Sequence, residues 1–343
     1  MRCHMSTRHG CIKMLDHYYQ QDYLKSVEKI SGSSLSIYFV DDFMIPIFRK
    51  RGILGTVINS SPFFGSHGGF KKSDAGCFET FQRISFDGLA EALVEPSVAS
   101  ITLVDNPYQS PKEREMNRLL QDSVSSLFDA PCITTQRHSA VLRLESLSDE
   151  SELRENYHQK TRNCLNKFEK SGAEVISVSP ANEEYSEAIQ WIAAQHIETL
   201  EAKKGVFKHA EYFEGLSADF PQGRFELKLC LLDGEKVGGV MNFHWKEQRE
   251  YWTPVVTTEG RKINALYGLI HQTAKDVVGR KGALLNFGGS WPTQTDLLRF
   301  KQRFGSEVRE YFYHTYLATD AIRLAEPEEL QRQYPYFYVR PYN

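Results

Sequence analysis

Residues 225–256 constrain the fold of this 343-residue chain more than any other stretch. Phe225-Glu226-Leu227-Lys228-Leu229-Cys230-Leu231 alternates at a period of two, as a half-buried β-strand does. Asp233-Gly234 carries the chemistry of a tight hairpin turn, and strands are predicted to continue over Val237 to Trp245 and Glu250 to Val256. A meander of this kind needs helices to cover its apolar side. Two are predicted from periodicity, Tyr185 to Leu200 and Ile263 to Val278, each with its apolar residues on one stripe.

Beyond the meander, a strand over Ala283 to Phe287 runs into Gly288-Gly289, followed by a helix around Leu297 to Arg303 and a strand near Glu310 to Tyr316. The paired glycines leave a backbone edge that a ligand or another chain segment can approach. The helix carries Lys301 between Phe300 and Phe304, and a cation fixed beside a bare edge suits an acyl carbonyl or a phosphate. Ahead of the meander, a charged helix is expected from Ser148 to Ser171, ended by Gly172, then a strand over Val175 to Val178. Strands mixed with helices in this order give an α+β fold with a mixed sheet rather than a doubly wound one.

The first half reads as a looser version of the same order. Strands are expected at Ser36 to Val40, Met44 to Phe48, Ile53 to Ile58, Ser100 to Val104 and Ala140 to Leu144, with helices at Phe86 to Val94 and Arg114 to Phe128. The reading divides the chain into an extension over 1–34, whose polar start can fray, a first domain over 35–147 and a second over 148–343. The second carries the candidate site.

A net charge of −3 gives no global electrostatic case for DNA or for an anionic membrane as partner. The six cysteines are scattered with no Cys-x-x-Cys pair, as in reduced intracellular proteins. No run approaches the length of a membrane span, and the start lacks the apolar core of a secretory signal, so a cytoplasmic location is expected. Cys3, His4, His9 and Cys11 do not match zinc spacings, and no metal is expected. Gly-x-Ser-x-Gly is absent and no Cys–His pairing is signalled, which points away from a covalent nucleophile.

Five segments together resemble a known family. They are Lys160-Thr161-Arg162-Asn163 running into Phe168-Glu169-Lys170-Ser171-Gly172; Asp233-Gly234-Glu235-Lys236-Val237-Gly238-Gly239; Phe287-Gly288-Gly289-Ser290; Arg299-Phe300-Lys301-Gln302-Arg303-Phe304-Gly305; and the loop Pro62-Phe63-Phe64 to Gly68-Gly69. Their order resembles the GNAT acyltransferases, in particular the FemAB-type branch with two such domains in tandem. The resemblance implies transfer of an acyl or aminoacyl group to an amine on a cell-envelope or polysaccharide precursor: an amine-bearing sugar, a nucleotide-sugar or a peptide. It implies no permanently bound cofactor, only a donor, aminoacyl-tRNA or acyl-CoA. It places Lys301 at the acyl-donor end, and Arg162, with Asn163 beside it, at the acceptor phosphate.

One departure bears on the donor. Where acyl-CoA-dependent relatives hold pyrophosphate on a glycine-patterned loop, this chain reads Thr257-Thr258-Glu259-Gly260-Arg261-Lys262-Ile263-Asn264-Ala265. Arg261, Lys262 and Asn264 remain candidates for donor binding, but the missing glycines fit charged tRNA or an unusual donor better than CoA. Of Tyr251 and Trp252, one must face the core and the other can line a cleft. Gly288, Gly289 and Phe300 are candidate substrate contacts, and His67 on its glycine loop is a candidate base. Each has a plainer reading: Lys301 as a helix lysine with its stem on phenylalanine, Arg162 as part of a solvated face, His67 as an exposed loop residue.

Overall fold

The computed structural model describes residues 17–63, 66–130, 132–202, 208, 210–218 and 223–341. Cys3, His4, His9 and Cys11 lie outside them. The strands of the first half are β1 (Ser34–Val40), β2 (Phe43–Gly52), β3 (Gly55–Asn59), the short β4 (Lys71–Lys72) and β5 (Gln82–Arg83), β6 (Val98–Val104) and β7 (Cys132–Arg143). Those of the second are β8 (Glu174–Val178), β9 (Phe225–Leu232), β10 (Glu235–Trp245), β11 (Gln248–Val256), β12 (Leu284–Ser290) and β13 (Glu307–Leu317). All thirteen join one mixed sheet in the order β5-β1-β2-β3-β6-β13-β7-β12-β11-β10-β9-β8, with β4 on β2.

The meander forms as its alternation dictates. β8 to β11 pair antiparallel in sequence order, and the β9–β10 turn places Asp233 at φ 53° and Gly234 at φ 83°, the left-handed pair a two-residue hairpin demands. β11 then runs parallel to β12, as β3 runs parallel to β6 in the first half. From there the two halves exchange strands. Helix Pro111–Phe128 leads from β6 to β7, which pairs with β12; helix Thr295–Gln302 leads from β12 to β13, which pairs with β6. β7 and β13 also pair with each other, from Val141↔Glu307 to Cys132↔Tyr316. Each half therefore closes on a strand supplied by the other.

Three local readings are corrected. The charged helix is two, Glu150–Asn156 and Gln159–Glu169, capped by Asp149 rather than Ser148. It breaks because Tyr157 turns fully inward, with extended backbone and its hydroxyl 3.2 Å from His271 Nδ1. The helix expected over Ile263 to Val278 runs over Ala265–Lys275 and is preceded by an unexpected short one, Thr258–Ile263, the two jointed at Asn264 with φ 62°. Within the expected extension, helix Gln21–Ser31 buries Tyr23, Leu24 and Val27 in one core with Phe225, Leu227 and Phe243 of the meander.

The chain's last turn ties back to the first half. Asn59 exchanges two hydrogen bonds of 2.9 Å with the Tyr338 backbone, and Ser100 Oγ donates to Val339 O at 2.7 Å. Among the described residues no helix is long and apolar enough to cross a membrane.

Candidate active site

β11 and β12 stay paired only from Gln248↔Leu284 to Glu250↔Asn286, and then part. Two bulges drive them apart. On β11, Thr253-Pro254 adds a residue opposite Val240, with Thr253 at φ 44° and a proline that has no N–H for the ladder. On β12, an extra residue falls between Asn286 and Gly289, with Gly288 at φ 67°. That conformation favours glycine, so Gly288 is needed here for a bulge. The wedge opens onto a cavity of about 630 Å³ lined by Tyr18, Lys208, Glu250, Tyr251, Trp252, Phe287, Gly288, Gly289, Phe300 and Lys301 among others.

Glu250 lies where the strands part and is only 5% exposed. The Tyr18 hydroxyl donates to its Oε1 at 2.6 Å, and Asn286 Nδ2 to its Oε2 at 2.6 Å. Burial pushes this carboxyl up to about 8, against the pull of those two hydrogen bonds and of the Lys301 charge. A carboxyl so held exchanges a proton near neutral pH, which suits a general base.

Lys301 is 3% exposed, so it does not snorkel along the phenylalanines. It leaves Phe304 to the core and reaches back to β12. Its Nζ donates to Gly288 O at 3.0 Å, to Ser290 Oγ at 2.9 Å and, more weakly, to Gly289 O at 3.5 Å. Burial, then the Arg137 charge, pull its ammonium down to about 7. The lysine thus fixes the bulged edge of the wedge. Lys301→Met removes those bonds and leaves buried acceptors unpaired, which is expected to cost about 1–3 kcal/mol. Urea denaturation checks this as a lower midpoint at unchanged slope.

The cavity gathers Tyr251, Trp252, Gly288, Gly289, Phe300 and Lys301. Tyr251 and Trp252 pack into different cores, as neighbours on a strand must, and both border the cavity at the point of divergence. The other candidates lie elsewhere. Arg162 donates to the carbonyls of Glu155 (3.1 Å) and Tyr157 (2.5 Å), and the exposed Asn163 accepts from Gln159 Nε2. Arg261 and Lys262 are exposed, with Lys262 paired to Glu259 at 2.6 Å, and Asn264 Nδ2 reaches Cys164 O at 3.4 Å. At that junction the Gly260 N–H is already taken by Thr257 Oγ1 at 3.1 Å.

His67 is not on an exposed loop. It is 1% exposed, edge-on to Tyr18, Tyr108 and Tyr311, with neither ring nitrogen hydrogen-bonded. Burial, with Arg137 and Lys301 adding to it, drives its pKa down to about 3, too low for a base matched to neutral pH. Glu250, Asn286, Tyr18 and Lys208 escaped the sequence reading. The one signal for Glu250 was a carboxylate inside a strand otherwise rich in aromatic and β-branched residues.

Residues 155–302, which include Glu250, Asn286, Gly288 and Lys301, match the sequence model described as an acetyltransferase (GNAT) domain. This segment is a GNAT acyltransferase domain. The architecture around it recurs in solved structures. FemX superposes with a TM-score of 0.60 at 11% identity, over 89% of this chain and 93% of that one. The C-terminal domain assigned to a lysylphosphatidylglycerol synthetase of Agrobacterium fabrum gives 0.55 at 11% identity, over 94% and 96%. A Bacteroides thetaiotaomicron protein described as of unknown function gives 0.54 at 12%, over 91% and 93%. At such identities these likenesses concern the fold. No protein of curated function matches the sequence. Tyr18 reaches the GNAT domain's cavity from outside the matched segment.

Proposed function

We propose that the chain is a FemAB-type N-acyltransferase that moves an acyl or aminoacyl group onto an amine of a cell-envelope or polysaccharide precursor. The observation that carries this reading is the buried Glu250 carboxyl at the fork of β11 and β12, in one cavity with Lys301. The acceptor nitrogen attacks the acyl carbonyl carbon, and its proton passes to Glu250. The bond to the donor's oxygen or sulfur breaks, and that atom leaves with the electron pair and takes up a proton. Lys301 and Lys208 favour the negative charge that develops on the carbonyl oxygen. Holding both partners in the wedge contributes the larger part of the acceleration.

The lining favours an uncharged acyl group over an aminoacyl one. Lys208, whose ammonium stands 5.3 Å and 5.4 Å from the Tyr212 and Trp252 ring centres, faces the cavity together with Lys301. An α-ammonium would meet both cations, with Glu250 as the single carboxyl among the described residues of the lining. Thermal-shift titration separates the donors, because a ligand bound only by the native state raises the melting temperature. Acetyl-CoA, held through its uncharged acyl end since the 257–265 junction offers its pyrophosphate no free backbone cradle at Gly260, is expected to raise it, and an alanyl ester of adenosine to leave it unchanged. A shift with the alanyl ester alone assigns the donor to charged tRNA, and no shift with either refutes the cavity as the donor site.

A further inference from the structure

The β7–β13 seam assembles a second cluster outside the acyl-transfer cavity. Cys132 pairs with Tyr316 and Thr134 with His314, so Cys132 and His314 are diagonal neighbours on one face of the sheet. His314 Nε2 lies 3.1 Å from Asp105 Oδ2, and Asp105 Oδ1 accepts from Gln121 Nε2 at 3.3 Å, which fixes the carboxylate. The order thiol, imidazole, carboxylate is that of an activated cysteine. Cys132 is exposed, as is Cys77.

The electrostatics agree with this arrangement. Asp105 raises the His314 imidazole to about 9 against the opposing effect of burial, so the ring is cationic at neutral pH. The neighbouring His314, with Thr134 Oγ1 3.9 Å from the sulfur, outweighs burial and lowers the Cys132 thiol. Tyr316 is held by Gln121 O at 3.0 Å, with Asp122 the further charge nearby. Next to the cluster, a cavity of about 560 Å³ is lined by Asp105 and His314 together with Arg114, Arg118 and Arg309. Arg118 is paired with Asp122, and Glu310 also faces the cavity, but cations outnumber carboxylates in the lining.

We propose that Cys132 is a covalent modification site, a thiol activated by His314 and Asp105 that exchanges with small anionic disulfides. Beside the cationic His314, Cys132 loses its proton to solvent, and the thiolate attacks one sulfur of the disulfide. That S–S bond breaks as the new one forms. The departing half leaves as a thiolate and takes up a proton from solvent, so Cys132 is oxidised to a mixed disulfide and the other half is reduced to a thiol. The arginines draw in the anionic group of the incoming molecule.

The test uses the full chain with oxidised glutathione at pH 7, with adducts located by peptide mass spectrometry. Cys132 is expected to react faster than Cys77 by on the order of ten-fold, and His314→Gln to remove most of that advantage. Equal rates for the two cysteines, or an unchanged Cys132 rate in a folded H314Q protein, overturn the proposal. Iodoacetamide, which is uncharged, reads the thiolate directly: the Cys132 rate is expected to climb less steeply from pH 7 to 9 than that of Cys77. A Cys132 rate that climbs in parallel contradicts activation by His314. Cystamine, a cationic disulfide, is expected to react more slowly at Cys132 than oxidised glutathione; an equal or faster rate refutes the anionic preference.

Discussion

Glu250→Gln is expected to lower turnover by about 10²–10⁴-fold, the usual contribution of a positioned base, and yet to make the protein more stable at alkaline pH. The carboxyl ionises near 8 in the folded chain against about 4.5 in an unfolded one. A carboxyl raised in this way holds its proton more tightly when folded, so it takes away stability as pH climbs from about 4.5 to 8. The full penalty stands above 8 and amounts to a few kcal/mol. Glutamine keeps the shape and can still pair with Tyr18 and Asn286 without ever ionising. Denaturation midpoints of E250Q and wild type should therefore differ more at pH 8.5 than at pH 5.5, with the variant the more stable. Lys301 works in the opposite sense. Its folded pKa lies below the unfolded value, so stability is recovered as pH rises from about 7 towards 10.5. Wild-type activity is expected to peak between about pH 7 and 8, where Glu250 begins to ionise before Lys301 has fully lost its proton. A variant that keeps full turnover removes Glu250 from the chemistry, whatever its stability.

Cutting the chain at 147/148 is expected to abolish cooperative folding of both pieces. Alone, residues 17–147 would present β7 with neither β12 nor β13, and β6 without β13. Residues 148–343 would present β12 and β13 each without its partner from the other half. Long unpaired edges of this kind aggregate rather than persist. The core that unites Tyr23, Leu24, Val27 and Phe48 with Phe225, Leu227 and Phe243 would also be divided. Each half expressed alone should show no cooperative thermal transition by circular dichroism, whereas co-expression of both should recover a native-like spectrum. A sharp transition from 148–343 by itself would mean that the exchanged strands matter little to stability.

The parts legible in the sequence were those encoded locally. The meander showed itself because alternation over 225–231 and the Asp233-Gly234 turn are read residue by residue. Gly288 stood out because a glycine is needed at its φ, and Lys301 because it follows that strand by one helix. Glu250 was hidden: a glutamate pointing into a wedge is written in the same letter as one facing water. Tyr18 completes the site from more than two hundred residues away in sequence. The Cys132–His314 pairing depends on the register of β7 against β13, which no local pattern specifies. Arg162 and Asn163 carry a family-like motif, yet their helix directs them towards its own first turn and the preceding loop.

The interleaved sheet also sets an order of events during synthesis. β6 leaves the ribosome about 200 residues before β13, the strand that covers its open flank. At about 5–20 residues per second that wait lasts roughly 10–40 s. Tyr338 and Val339, which satisfy Asn59 and Ser100, emerge later still. The amino-terminal half is therefore translated first but finished last, and a nascent chain stalled before residue 317 leaves an adhesive surface for chaperones to shield.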